Sequence, residues 1–483
     1  MNDAVTQAAM VRRGECTPLE LVDEAIARIE ALNPSINAVI HPRFEQARHE
    51  ASRLGASRLE TSRIDASRVE ASRVPFHGVP IVVKDSTCPI AGEPLHEGLQ
   101  AAKDAGYLAP ANSWLTDRLI DAGFVIVGRT NVPELCTHAT TEPAAYGPTR
   151  NPWATGHSAG GSSGGSGAAV AAGMVAIGHG SDGGGSVRTP AAFCGLVGLK
   201  PTRGRISNGP DIAEHWAGLS TDGFLTRTVR DTAAVLDAVC GSSFGDPYTT
   251  PLTASLAAAL DGALPRLRVG VRLRGANEGI DAHPEVARAI RQIADLLASH
   301  GHDVVDAAPV ALDEIEAVAQ QGTVVSVCVA AELDAWSARL GREITLDEIE
   351  PRNRMSVSNG RLVTGTQYVA AREWLHGWGR RLHAWWNDFD LLLTPTVTQP
   401  PVKIGALPFN PTADDMANMR RELGWLMGMW NVSGQPAISV PATQTDDGLP
   451  VGAQFVAAWG REDLLLQTAA LVERAQPWPL VAT

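Results

Sequence analysis

The sequence predicts an α/β fold in which helices cover both faces of a mixed, largely buried β-sheet. Short β-branched runs alternate along the chain with longer segments whose apolar residues recur at helical spacing, which is typical of this class. The clearest strand is residues 79–83, which are apolar at every position, as expected for a strand buried on both faces. Because no segment rich in Pro, Gly and Ser separates two such blocks, we expect one domain over residues 1–483.

Helices and strands are predicted in order along the chain. Thr17 is a suitable N-cap, Pro18 suits the first helical position and Glu20 completes a capping box, so a helix is expected from here to Asn33-Pro34. The later predictions are strands at 38–41, 79–83, 124–127, 267–271, 303–305, 391–393 and 451–455, helices at 114–122, 285–298 and 462 to about 474, and Gly/Ser-rich loops from 156 to 188.

Residues 51–74 are a five-residue repeat built on Ala-Ser-Arg followed by an aliphatic residue. A period of five matches neither the 3.6 residues of a helical turn nor the two of a strand, so the aliphatic side chains cannot line one face. We therefore expect a low-complexity insertion at the surface of the domain.

The composition limits the partners and the location. The chain has 40 basic and 53 acidic residues, a net charge of −13, which argues against a nucleic-acid or membrane partner. The six cysteines form no CxxC pair and are expected to be thiols in a reducing compartment. The first residues do not resemble a secretory signal, so a cytoplasmic enzyme is expected.

Two glycine- and serine-rich segments are the densest candidates for chemistry. Residues 160–167 are Gly-Gly-Ser-Ser-Gly-Gly-Ser-Gly, and residues 181–188 are Ser-Asp-Gly-Gly-Gly-Ser-Val-Arg. A phosphate cradle would need a Gly-Lys-Ser/Thr ending, and a nucleophile elbow at Ser162 would need an apolar strand before it. Two hydroxyls beside a loop rich in N–H groups instead suit acyl transfer, which requires a nucleophile and an oxyanion hole. Purely structural loops are the remaining alternative.

Lys84 follows directly on the apolar run 79–83. Only four residues of the chain are lysine, and a lysine differs from an arginine in that it can be deprotonated. Burial at the end of a strand favours the neutral amine, which can act as a general base. The alternative is an ordinary lysine paired with Asp85.

These residues resemble the amidase signature family. The similarity lies in residues 78–85 (Gly-Val-Pro-Ile-Val-Val-Lys-Asp), 128–134, 147–153 and 194–202 and in both Gly/Ser segments, in the family's order, and it extends to 431–437 and 460–463. It covers nearly the whole chain except the repeat. Within the family, residues 140–143, 202–210 and the C-terminal third most resemble the members that hydrolyse nylon oligomers.

The resemblance implies a serine amidase that forms an acyl-enzyme and uses no metal or cofactor. Ser186 would be the nucleophile, Ser162 a bridging serine after a cis peptide bond with Gly161, and Lys84 the base. The backbone amides of Gly183, Gly184, Gly185 and Ser186 would form the oxyanion hole, with Ser163, Asp182 and Arg188 as supporting residues. Lys200 would be structural.

Four residues are candidates for the substrate pocket: Thr141, Cys328, Trp430 and Asn431. A cysteine in the region corresponding to Cys328 contacts substrate in the nylon-oligomer enzyme. Trp430 belongs to an apolar, aromatic segment that leads into the loop at Asn431.

The expected partner is a small-molecule amide, either a small or aryl amide or a 6-aminohexanoate-type oligomer, with no nucleic acid and no membrane; a homodimer is compatible with the sequence. The alternative is the glutaminase subunit of a tRNA-dependent amidotransferase, whose signature loops are nearly the same. A catalytically silent binding protein is disfavoured because every triad position is filled.

Overall fold

A computed structural model of the chain describes residues 2–61, 74–252, 254–275, 281–419, 423 and 425–482. They form an α/β fold, which confirms the predicted class. The strands are β1 (Val39–Pro42), β2 (Pro80–Lys84), β3 (Val125–Thr130), β4 (Arg150–Asn151), β5 (Ala154–Ser158), β6 (Ile177–Asp182), β7 (Val197–Lys200), β8 (Thr221–Thr226), β9 (Arg268–Val271), β10 (Asp303–Asp306), β11 (Leu391–Pro395), β12 (Ala437–Gln444) and β13 (Pro450–Ala457).

Helices connect and cover these strands. They are α1 (Ala4–Arg13), α2 (Pro18–Ile36), α3 (Phe44–Thr61), α4 (Gln100–Asp104), α5 (Trp114–Asp121), α6 (Gly164–Ala171), α7 (Arg188–Cys194), α8 (Val229–Val239), α9 (Leu256–Ala259), α10 (Pro284–Ser299), α11 (Glu316–Leu340), α12 (Pro351–Leu362), α13 (Gly365–His383), α14 (Ala413–Met419), α15 (Trp425–Ser433) and α16 (Glu462–Ala475). No described helix is both long and apolar enough to span a bilayer.

Eleven of the strands build one mixed sheet in the order β1-β3-β2-β6-β8-β7-β12-β13-β11-β9-β10. Strands β3, β2 and β6 run parallel to one another, and β8 then pairs antiparallel with β6. The carboxyl ends of β2 and β6 therefore lie side by side at one edge of the sheet, where ligand sites of α/β proteins are commonly found.

Strand β2 shows why the sheet is covered on both faces. All five of its residues are buried. Ile81 and Val83 pack into the core cluster that includes Leu236 and Leu465, on the side of α8 and α16. Val82 points the other way, into the cluster with Val170 of α6. Because successive side chains of a strand face opposite sides, a continuous apolar run is what two covered faces require.

The first predicted helix begins as expected and ends later. The capping box of Thr17 and Glu20 is present. The prediction that the helix ends at Asn33-Pro34 is wrong, because α2 continues to Ile36 and ends at Asn37, which adopts a left-handed conformation with φ 58°. Its N–H donates to the Asn33 carbonyl at 2.7 Å, which closes the last turn.

The first part of the five-residue repeat continues helix α3, which extends to Thr61. Ala51 is buried and Leu54 is half-buried, so this end of the repeat packs on the domain. Residues 62–73, most of the predicted surface insertion, lie outside the described residues.

Candidate active site

Lys84 is the last residue of β2, and Ser181 lies near the end of the neighbouring parallel strand β6. The side-chain nitrogen of Lys84, Nζ, lies 2.7 Å from Ser162 Oγ, 2.8 Å from Ser181 Oγ and 3.5 Å from the Ser181 carbonyl oxygen. The lysine is completely buried. The sheet therefore holds an amine between two serine hydroxyls, away from solvent.

Asp85 does not pair with Lys84. Its carboxylate accepts a hydrogen bond from Arg129 Nε at 3.0 Å, and both side chains are completely buried. Arg129 also donates to the Lys84 carbonyl oxygen at 3.1 Å. In the part of the chain that the structure describes, Lys84 forms no ion pair with a carboxylate. The alternative of an ordinary Lys84–Asp85 pair is thus excluded.

Ser162 follows a cis peptide bond with Gly161, in the segment that leads into α6. The segment lies against residues 138–140 so closely that a Cβ atom on Gly161 would be 2.7 Å from the His138 carbonyl oxygen. Thr141 fastens it from the same side: its hydroxyl donates to the Gly160 carbonyl at 2.9 Å and accepts from the Gly164 N–H at 3.2 Å. Thr141 is completely buried and supports the serine segment, so its predicted place in the substrate pocket is corrected.

Ser186 lies in the turn between β6 and α7 and is half-buried. Its carbonyl oxygen accepts a hydrogen bond from the Ser163 N–H at 3.2 Å, which joins the two serine segments. The Ser163 hydroxyl donates to the Ser181 carbonyl at 3.3 Å. The segment 156–188, predicted as loops, thus contains the end of β5 and all of α6 and β6. Ser186 follows a fully buried strand, β6, whereas the strand before Ser162, β5, is mostly exposed or half-buried.

Asp182 organises this turn from the end of β6. Its carboxylate accepts hydrogen bonds from the Gly185 N–H at 2.7 Å, the Val187 N–H at 3.1 Å and Arg188 Nη2 at 2.8 Å. Although burial alone would raise the pKa of Asp182, the Arg188 guanidinium holds that pKa well below its usual range. The carboxylate is therefore ionised and fixes the backbone around Ser186.

The same hydrogen bonds revise the expected oxyanion hole. The Gly185 N–H already donates to Asp182, so it is not free to stabilise an oxyanion. Gly185 has φ +115°, and a Cβ atom there would meet Met427 Sδ at 2.6 Å, so glycine is required at this position for space and conformation. The predicted donor set is thus reduced to the amides of Gly183, Gly184 and Ser186.

Arg188 ties the turn to the C-terminal part of the chain. Its Nη1 donates to Gln454 Oε1 at 2.8 Å and its Nη2 to Asn431 Oδ1 at 2.8 Å. Asn431 is buried in this network, and Trp430 is completely buried in the core with Trp378. Neither residue lines the cavity described next, so their predicted role as pocket walls is corrected.

A cavity opens beside the serines and is lined by Ser162, Ser181 and Ser186 together with acidic and aromatic residues, among them Glu97, Trp216 and Glu332. Residues of both glycine- and serine-rich segments therefore lie on the wall of the same cavity.

Cys328 lies on α11 four residues before Glu332, on the same face of the helix. It is half-buried, and burial raises the pKa of its thiol to about 11. Its contact with substrate stays a prediction. Lys200 is completely buried, donates to the Pro201 carbonyl at 3.0 Å, and has a pKa lowered by burial to about 7.

Three residues of the site were not singled out from the sequence: Ser181, Glu97 and Glu332. Ser181 is the first residue of the second glycine-rich segment, and that membership was the available signal. Glu97 and Glu332 come from parts of the chain without a recognisable motif, so only the folded structure places them on the cavity.

Comparisons with known proteins show which family the chain belongs to. The Amidase family profile matches residues 20–466. The 6-aminohexanoate-cyclic-dimer hydrolase of Paenarthrobacter ureafaciens is 42% identical over 486 residues, covering 99% of this chain and 95% of that protein.

Two solved structures are similar over nearly the full length. The structure of 6-aminohexanoate cyclic dimer hydrolase complexed with substrate superposes with a TM-score of 0.91 at 41% identity, covering 99% of this chain and 97% of that chain. The structure of a bacterial aryl acylamidase of the amidase signature family superposes with a TM-score of 0.86 at 26% identity, covering 99% of this chain and 96% of that chain. The chain therefore belongs to the amidase signature family and is an amidase.

Proposed function

We propose that the protein hydrolyses carboxamide bonds through an acyl-enzyme on Ser186, with Ser162 as the bridging serine and Lys84 as the base. The observation that carries the proposal is the 2.7 Å contact between Lys84 Nζ and Ser162 Oγ, made by a fully buried lysine beside a cavity that Ser186 also lines.

The surroundings of Lys84 suit a neutral amine. A neutral amine has two N–H donors and one lone pair, and Nζ has three oxygen neighbours. The Ser181 hydroxyl and carbonyl oxygens can accept its two hydrogens, while the Ser162 hydroxyl can donate to its lone pair. The nearest acidic residue in the sequence, Asp85, is neutralised by Arg129.

The proposed roles of the three residues give the following mechanism. Lys84 Nζ takes the proton of Ser162 Oγ while Ser162 takes the proton of Ser186 Oγ, which attacks the amide carbonyl carbon. When the tetrahedral intermediate collapses, Ser162 passes a proton to the departing nitrogen and the C–N bond breaks. Water, activated by the same relay, then hydrolyses the ester on Ser186 and releases the acid.

The developing oxyanion would accept hydrogen bonds from the amides of Gly183, Gly184 and Ser186. Asp182 holds this turn in place by binding the amides on either side of Ser186, those of Gly185 and Val187. Donors that are already oriented need no reorganisation during the reaction, and one such donor contributes a factor of about 10²–10³ in rate.

As substrates we propose small or aryl amides and 6-aminohexanoate-type oligomers, linear or cyclic. Support comes from the relatives named for the 6-aminohexanoate cyclic dimer and for aryl acylamides, which the chain matches over nearly its whole length.

The test is covalent labelling with a fluorophosphonate, followed by peptide mapping. Label is expected on Ser186, and Ser186→Ala should lose both the label and amide hydrolysis. Ser220→Ala is the matched control, because Ser220 lines the same cavity but is not part of the relay. Label on Ser162 or Cys328 instead, or full activity of Ser186→Ala, would contradict the proposal.

The alternative, a glutaminase subunit, is separated by substrate competition. A stand-alone amidase should hydrolyse aryl and aliphatic amides without partner subunits and show no preference for glutamine. Strict glutamine specificity, together with co-elution with amidotransferase subunits in gel filtration, would favour the alternative.

A further inference from the structure

Two carboxylates, Glu97 and Glu332, line the same cavity as the three serines. They come from distant parts of the chain, Glu97 from the segment after β2 and Glu332 from helix α11. The proposed hydrolysis uses neither of them. A second cavity is also lined by Glu97, Glu332, Ser86 and Thr87, so the two acids lie where the two cavities adjoin.

Glu97 is held firmly in place. Its carboxylate Oε2 accepts a hydrogen bond from Trp336 Nε1 at 2.9 Å, and its backbone N–H donates to Asp85 Oδ2 at 3.1 Å. Its φ of 50° is in the left-handed region, which is unfavourable for a residue other than glycine. A position under such constraint presents its side chain in one direction.

The charges around this pair leave an excess of negative charge. Arg339 pairs with Glu332 at 3.2 Å and lies over the Trp336 ring, and it is the single described cation that pairs with either acid. Asp85 is compensated separately by Arg129. The remaining titratable neighbours on the cavity are His215 and Cys136; burial lowers the pKa of His215 and raises that of Cys136 to about 11, so both stay uncharged.

Ser86 supplies an independent sign of a ligand. Ser86 lies on the cavity wall and is 4% exposed, and its Oγ meets no N–H or O–H partner in the described structure, only the Cys136 thiol. Buried hydroxyls are normally hydrogen-bonded, and a thiol is a weak donor, so this oxygen keeps the capacity to accept an N–H.

We propose that Glu97 and Glu332, with the Ser86 hydroxyl, form a subsite for an organic ammonium group, carried either by the substrate itself or by the amine that hydrolysis releases. An ammonium has three N–H donors, which the two carboxylates and the Ser86 hydroxyl can accept. The subsite rests on the proposed function, because it gives the same cavity a preference for amides that carry a protonated amine, such as linear ω-amino amides.

Burial, reinforced by the nearby Glu332, raises the pKa of Glu97 to about 7. Below this pH the Glu97 carboxyl is neutral and attracts a cation weakly. Above it the carboxylate is ionised, so a preference for a cationic substrate should grow as the pH rises from 6 to 8.

The experiment compares 6-aminohexanamide with heptanamide, which replaces the ammonium by a methyl group of similar size. The KM of the cationic amide is expected to be about tenfold lower at pH 8, the size of a partly screened charged hydrogen bond. Glu97→Gln, which keeps an acceptor for Trp336, and Glu332→Gln should each reduce this ratio at least about threefold. Asp334→Asn, on α11 but paired outward with Arg361, is the matched control and should leave the ratio unchanged.

Inhibition by hexylamine distinguishes the two sources of the ammonium. Competitive inhibition that weakens in Glu97→Gln, without a KM advantage for 6-aminohexanamide, assigns the subsite to the released amine. Equal KM values for the two amides and no inhibition by hexylamine would overturn the proposal. That result differs from failure of the proposed function, in which neither amide is hydrolysed and Ser186 takes no label.

Discussion

The side-chain amide of Asn431 donates to Asp182 twice, to its main-chain oxygen at 2.7 Å and to its carboxylate Oδ1 at 3.0 Å, across a sequence separation of 249 positions. The side-chain oxygen of Asn431, Oδ1, in turn accepts from Arg188. One buried side chain thus closes a network with both ends of the turn that carries Ser186.

Replacing Asn431 should destabilise the protein more than an ordinary polar substitution. Asn431→Ala leaves Asp182 and Arg188 each short of a buried partner, and an unsatisfied buried group costs about 1–3 kcal/mol. We expect a loss of about 2–4 kcal/mol in the free energy of unfolding, measured by chemical denaturation. Asn387→Ala is the control, because Asn387 is exposed. Equal denaturation midpoints for the two variants would contradict the role of Asn431.

Gly184 and Gly185 should respond differently to alanine. A Cβ atom on Gly185 would lie 2.6 Å from Met427 Sδ, and the φ of +115° at this position is unfavourable for alanine. At Gly184 a Cβ atom meets nothing within 4 Å. Gly185→Ala is therefore expected to lower kcat about 100-fold or more by displacing the Ser186 turn, as misplacement of a reacting group by about 1 Å does. Gly184→Ala should stay within about tenfold of the wild type. Steady-state kinetics on one amide measures both, and the reverse order would refute the assignment.

Lys84→Met should remove activity without unfolding the protein. Methionine fills a similar volume but cannot accept a proton, and loss of a general base costs about 10²–10⁴ in rate. Lys84→Arg should be equally inactive, since a guanidinium does not give up its proton. Lys403→Met is the control at an exposed lysine. An active Lys84→Arg enzyme would show that a cation, and not a base, is what the site needs.

The stability of the protein should fall as the pH rises from about 4.5 to 8, in part because of Glu134. Burial, reinforced by Glu350, raises the pKa of Glu134 from 4.5 to about 8. Between these values the folded protein keeps a proton that the unfolded chain has lost, so unfolding becomes easier with increasing pH.

Glu134→Gln tests this by remaining uncharged over the whole range, while its amide oxygen can still accept from the Glu350 N–H, as Glu134 Oε2 does at 2.8 Å. Denaturation midpoints at pH 5 and pH 8 should differ less in this variant than in the wild type. The exposed control Glu343→Gln should keep the wild-type difference. A pH dependence of Glu134→Gln as steep as the wild type's would rule out a contribution from this carboxyl.

Local patterns were sufficient to predict most of the sheet. The strand at β2 was predictable because a strand covered on both faces is apolar throughout, and helix α10 because its apolar residues keep one stripe toward the core. Helix α11 was not predicted. It is packed by α12 and α13 and also faces the cavity, so its polar and apolar residues are not separated onto two sides.

The candidate site was predictable where motifs carry it and not where tertiary contacts do. The positions of Lys84, Ser162 and Ser186 follow from short segments and the family resemblance. The contact of Ser181 with Lys84 depends on β2 and β6 being neighbours in the sheet, which no local pattern reveals. Thr141 and Asn431 were predicted in the pocket because they belong to segments that resemble the family. In the structure Thr141 donates a hydrogen bond to the Gly160 carbonyl and Asn431 donates one to the Asp182 carbonyl, so both support the serine segments.

The ion pair of Arg129 with Asp85 restricts which residues can replace Arg129 and Lys84. As a cation that keeps its charge at any physiological pH, it neutralises Asp85 permanently. Without it, the Asp85 carboxylate would be buried without a counter-charge, next to the lysine in the sequence. In the proposed mechanism the site needs both kinds of basic side chain, an arginine whose charge is constant and a lysine that can accept a proton, and exchanging one for the other at either position should disable the enzyme.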